Sequence, residues 1–185
     1  MSNTRESTPA VFAAPDPRDV FVVHGRNTKV HKSLRKFLRA IGLHPIKWEE
    51  MVAATGKGAP YIGEVLRAGF AKAQVVVVLL TGDDRARLRH RYLQDDDPEY
   101  ERELRPQPRP NVLFEAGMAL GIHPDRTILV QVGELRPFSD IAGRHIIKLS
   151  DSKRSRKQLI GRLKTAGCPV ETDNEDWKSV GDFDT

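Results

Sequence analysis

Apolar residues recur along this chain with two different periods. Four short runs rich in β-branched residues, DVFVVHG (19–25), QVVVVLLT (74–81), RTILVQV (126–132) and RHIIKL (144–149), are continuous enough to read as strands buried on both faces. Between them the spacing lengthens to that of a helix. Val30, Leu34, Phe37, Leu38 and Ile41 share one face of 27–42, with Gly42 as a terminal cap, and Ile62, Val65, Leu66 and Phe70 share one face of 61–73. SKRSRKQLIGRLKTAG forms a last amphipathic helix ending at Gly167. LHPIKW (43–48) reads as a shorter strand whose proline suits an edge or a strand start, and 49–60 as a loop.

Strand and helix alternate five times over 19–168, which predicts an α/β fold: a five-stranded parallel sheet with helices on both faces. The flavodoxin-like strand order 2-1-3-4-5 is the commonest arrangement of that kind. Residues 1–18, rich in Ser, Thr, Pro and Ala, are expected to form a flexible arm, and 169–185 a C-terminal tail. Ligands of such sheets sit beyond the carboxyl ends of the strands. Here those ends are HGR (24–26), WEE (48–50), TGDD (81–84) and the region of Val132, with SDIAG a turn before the last strand. The segment 82–109 fits no element and is too long for an ordinary connection, so it holds a short helix, covers a site or meets another subunit.

One helix stands apart. RPNVLFEAGMALG (109–121) is apolar or small at almost every position after Asn111, as if buried on nearly all sides, yet Glu115 lies in its middle. A first-turn acid favoured by the helix dipole, with Asn111 as the cap, would be the plain explanation. Against it, an ionised carboxylate among apolar neighbours is costly unless it meets a cation or faces a cleft. The helix starts near the carboxyl edge of the sheet, where a cleft belongs.

Composition narrows the chemistry. The chain has 185 residues, 39% hydrophobic and 30% charged, enough for one domain. Neither a bilayer-length apolar run nor a convincing secretory leader is present, and the single cysteine fits a reducing cytoplasm. The sequence lacks GxxxxGK[ST], GxGxxG, GxSxG, HExxH and paired CxxC motifs. A phosphoacceptor receiver is disfavoured because His24-Gly25-Arg26 stands where its acidic pair belongs. The net charge of +5 admits nucleic acid, but no set of aromatic residues is interleaved with the basic ones, so nucleic-acid binding is disfavoured.

NVLFEAGMALG, together with VFVVHGR, GKGAPYI, VVVVLLTGDD and SDIAGR in that order, resembles the bacterial TIR-like family of predicted nucleotide-binding proteins. Relatives of that type act as effectors in antiphage systems switched on by cyclic nucleotides. The resemblance spans 19 to about 149 and implies a TIR fold and NAD⁺ glycohydrolase activity, with NAD⁺ as substrate, no other cofactor and no metal. It puts the catalytic glutamate at Glu115. Nicotinamide leaves as a neutral molecule, so the barrier lies in the positive charge that develops on the ribose, and one fixed carboxylate suits that task.

By the same resemblance Gly25 and Arg26 meet a phosphate or the nicotinamide side, and Asp83 and Asp84 match an acidic pair that either contacts ribose or caps the next turn. Gly82 stands where a proline is expected. Trp48 either stacks on a ring or belongs to the core, and Asn111 either orients Glu115 or caps its helix. The 49–60 loop corresponds to the segment used for head-to-tail self-association, and the activating signal would come from a sensor chain or a cyclic-nucleotide-responsive partner. Two other readings stay open: a TIR module that only scaffolds, and a nucleoside or nucleotide N-glycosidase.

Overall fold

The computed structural model describes residues 14–137, 141 and 143–184; part of the expected N-terminal arm and of the SDIAG turn lies outside them. Its main sheet is parallel, with β1 (Asp16–His24), β2 (His44–Pro45), β3 (Ala73–Leu80), β6 (Thr127–Gln131) and β7 (Ile146–Lys148) in the order β2-β1-β3-β6-β7. Counting these five alone, the order is 2-1-3-4-5. β1 reaches back to Asp16, with an irregularity in its pairing between Asp16 and Val20.

Alternation along the central strands divides the core in two. Val20 and Val22 of β1, with Val75, Val77 and Leu79 of β3, face α1 (Thr28–Ala40) and α6 (Lys153–Thr165). Phe21, Val23, Val76, Val78 and Leu80 face α2 (Trp48–Ala54), α3 (Ile62–Lys72) and α5 (Pro110–Ile122). Each such side chain removed from water contributes about 1.5–3 kcal/mol, and a strand buried on both faces collects this at every residue. Local signals set the helix ends: Asn27 and Ser152 accept from Val30 N and Ser155 N, and Gly42 and Gly167 take positive φ just past α1 and α6.

Three elements depart from the sequence reading. The second strand is only His44–Pro45, because Arg35 of α1 donates to the carbonyls of Pro45 and Ile46 at 2.9 and 3.0 Å and the chain then turns away. Two residues later the chain forms α2, over residues expected as strand end and loop, with Glu49 and Glu50 in its first turn. The long 82–109 segment is built around an antiparallel hairpin of β4 (Asp84–Ala86) and β5 (Arg105–Gln107), with a one-turn helix α4 (Glu99–Arg102) between them. Arg136 holds this ear to the β6–β7 connection: its N–H donates to Pro106 O at 2.7 Å and its guanidinium meets Glu101.

The C-terminal segment packs on the α1/α6 layer, where Trp177 and Phe183 are buried. Arg156, 1% exposed, donates to the carbonyls of Trp177 and Val180 and to Asp151, and lies over the rings of Phe37 and Phe183. At the amino edge of the sheet the buried carboxylate of Asp19 meets His44 Nδ1 at 2.6 Å and Lys72 Nζ at 2.9 Å. Among the described residues no helix is long and apolar enough to cross a membrane.

Candidate functional site

At the carboxyl edge, the chain leaving β1 and the chain leaving β3 interlock. A methyl group on Gly25 would come within 1.9 Å of Asp83 Oδ2, so only a glycine lets the two turns approach so closely. The same carboxylate accepts from the Arg26 backbone N–H, while Thr81 Oγ1 donates to its other oxygen at 2.7 Å. Thr81 is buried at the end of the apolar β3 run, and its hydroxyl fixes the aspartate rotamer. Its only signal in the sequence is a polar residue closing a buried strand. Both oxygens of Asp83 are thus engaged in shaping the edge. Asp84 opens β4, with its carboxylate 3.9 Å from Arg109 Nε at the start of α5.

Gly82 has a local explanation as well. A Cβ there would lie 2.6 Å from Pro106 Cβ, so the glycine admits the ear against the end of β3.

His24 and His31 form another feature of this edge that the sequence did not announce. Their rings stack at 3.5 Å and 16°, and His24 Nδ1 lies 2.9 Å from the Gly25 carbonyl, to which its N–H can donate. Burial pushes both imidazoles down, His31 to about 3, so the stack is uncharged at neutral pH.

Helix α5 begins with Arg109 at its N-cap and Pro110 at its first position, where a missing N–H costs nothing. Asn111 therefore sits inside the first turn, exposed, which removes capping from its two readings. Glu115 falls in the second turn, beyond the acids a helix N-terminus favours. Its carboxyl is half-buried, has no hydrogen bond or ion pair among the described residues, and is pushed up by burial alone.

The helix itself is less enclosed than its composition suggested. Val112, Ala116 and Ala119 are buried, whereas Phe114 is 69% exposed. Val112 is the link to the interlocked turns, since its Cγ2 would lie 3.6 Å from a Cβ at Gly25. Glu115 follows three residues later, less than one turn further along. The apolar cavity beside α5, about 180 Å³ and lined by Leu113, Ala116, Gly117 and Leu120, opens on a flank that Glu115 does not line.

Gly25, Arg26 and Asp83 are thus brought into direct contact, and α5 carries Asn111 and Glu115 past them. Trp48 is the first residue of α2 and is 46% exposed, so it is not part of the core. The Arg26 side chain is exposed at the same edge. The edge thus offers one half-buried carboxylate and a fixed turn with a guanidinium.

Over residues 19–151 the sequence matches the family described as CAP12/Pycsar effector protein, TIR domain. It is also 27% identical over 174 residues to the uncharacterized protein YuaY of Escherichia coli (strain K12), across 94% of this chain. The chain spans about half, 53%, of that relative's length.

Proposed function

Since the chain belongs to the CAP12/Pycsar effector family through a TIR domain, we propose that it is a TIR enzyme that hydrolyses NAD⁺ to nicotinamide and ADP-ribose. The observation that carries this reading is Glu115, a half-buried carboxylate without a protein partner among the described residues, on the helix that packs beside the Gly25–Asp83 contact.

In the proposed reaction the bond between ribose C1′ and the nicotinamide nitrogen breaks, and its electron pair leaves with nicotinamide, which becomes neutral. Positive charge spreads over the ribose ring oxygen and C1′. The Glu115 carboxylate stabilises that charge more strongly in a water-poor setting than it would in bulk solvent. Water then adds to C1′ and loses a proton. Arg26 is assigned to a phosphate of NAD⁺, Trp48 to stacking on a ring, and Asn111 to orienting the carboxylate or a ribose hydroxyl. Asp84 is assigned to a ribose hydroxyl, while Asp83 and Gly25 hold the edge in shape.

We assign self-association to the 49–60 segment and its exit, where Tyr61 and Ile62 are 83% and 67% exposed and Lys57 pairs with Glu64 across the turn. Activation by a sensor chain or a cyclic-nucleotide-responsive partner, and a role in antiphage defence in the cytoplasm, complete the proposal. The exposed aromatic and aliphatic residues also favour a second reading, a TIR module that assembles without catalysis.

Wild type and Glu115→Gln, concentrated to favour assembly, separate the two when incubated with NAD⁺ and followed for nicotinamide release. The enzyme reading expects release by wild type and a loss of about 100-fold or more in the variant, with both folded. Because burial raises the carboxyl and the ionised form is the active one, the acid limb of wild-type release should lie at a higher pH than an ordinary glutamate would give. Equal release by both proteins removes Glu115 from the chemistry. Silence from wild type in demonstrated assemblies favours the scaffold.

A further inference from the structure

The opposite edge of the sheet carries a bowl that the proposed NAD⁺ chemistry does not use. It lies before the first residues of β6 and β7 and beside the last turn of α6, with a volume of about 400 Å³. That is within the roughly 300–1,000 Å³ typical of small-molecule sites. Arg144, His145 and Arg162 line it together with the single acid Asp125. Arg144, Arg162 and Asp125 are exposed, and among the described residues no ion pair engages them, so all three are free to meet a ligand.

Two kinds of polar group meet there. The guanidiniums present forked donors that match phosphate oxygens. Asp125 is the acceptor, while the C-terminal end of α6, whose last carbonyls are bonded within the protein, makes its surroundings unfavourable for a bare anion. A ligand with both phosphate and hydroxyl donors satisfies both sets, whereas an inorganic anion meets only one. Ile128, Leu129 and Ala166 supply apolar wall for a flat ring.

We propose that this bowl is a second ligand site and that it takes a phosphorylated ribose of nucleoside monophosphate size. The phosphate is held by Arg144 and Arg162, and the ribose hydroxyls by Asp125. The site stands apart from Glu115, so it does not depend on whether the protein cleaves NAD⁺.

Calorimetric titration of the full chain with AMP, ribose 5-phosphate and inorganic phosphate tests it, with hydrogen exchange to locate the protected amides. The expected result is saturable AMP binding that protects 127–129 and 165–167 and that Arg144→Gln and Arg162→Gln each weaken about ten-fold or more. Both side chains are exposed, so the variants should fold as wild type does. Ribose 5-phosphate should bind more weakly than AMP but more tightly than phosphate. Absence of binding at millimolar AMP overturns the proposal, as does protection confined to 24–26 and 82–84 or affinity unchanged in both variants. Phosphate binding as tightly as AMP overturns the assignment of a nucleotide.

Discussion

A hydrogen atom at position 25 is what lets two loops meet. Gly25→Ala would drive a methyl group into the Asp83 carboxylate, which must then rotate away from Thr81 and the Arg26 N–H. Overpacking of this kind costs about 1–3 kcal/mol. The expected outcome is a lower Tm and, if the proposed activity is present, slower nicotinamide release; a fully stable and active variant would show that the contact is dispensable. The stacked imidazoles make a different prediction. His24 and His31 are held below the ordinary value of 6.5, His31 at about 3, so the unfolded chain binds protons on acidification before the native state does. Their contribution is therefore present above about pH 6.5 and is lost as pH falls from there toward 3. Denaturant titrations of wild type and His31→Gln between pH 7 and pH 4 should show a shallower loss of stability in the variant. Cys168, buried and with its thiol pushed up to about 11, has no reactive role in this arrangement.

Among the elements, the join between α2 and α3 exposes Tyr61 and Ile62 at 83% and 67%. Tyr61 stands at the N-cap of α3, where Glu64 Oε2 accepts from its backbone N–H at 3.0 Å, so the cap survives a change of side chain. Tyr61→Asp should leave unfolding free energy within about 0.5 kcal/mol of wild type. Sedimentation at high concentration should nevertheless show weaker self-association. Unchanged association in that variant would move the assembly surface elsewhere. Helix α5 and the ear teach a related lesson. Both are placed by contacts far away in sequence: Val112 against Gly25, and Arg136 against Pro106 and Glu101.

For the molecule as a whole, the C-terminal segment acts as part of the second core layer. Arg156 replaces the water that the carbonyls of Trp177 and Val180 would otherwise need, and its guanidinium is sandwiched near Phe37 and Phe183. Arg156→Met keeps the apolar stem but leaves those carbonyls without their donor, while Asp151 keeps the Phe183 N–H. Leaving such buried groups unsatisfied costs about 1–3 kcal/mol. Limited proteolysis should then cut within 170–184 in the variant under conditions where wild type resists. Equal resistance would show that Trp177 and Phe183 hold the segment unaided.

How much of this was legible beforehand follows from the range of the forces involved. The parallel sheet, its order and most helices could be read in advance, because a strand buried on both faces must be apolar at each residue and a helix on its face must repeat every three or four. Glu115 could be singled out too, since a charge in an apolar helix is costly wherever the helix lies. What local pattern does not carry is the end of β2, where Arg35 from another helix takes the carbonyls, or the hairpin hidden in a charged segment. Composition also overstated the burial of α5, since an apolar residue such as Phe114 can remain outside when nothing in the monomer covers it. The service of Gly25 and Asp83 to each other belongs to the same class. Elements followed from periodicity within a few residues, but the shape of the site's edge came from contacts across 57 positions of chain, which only the folded molecule brings together.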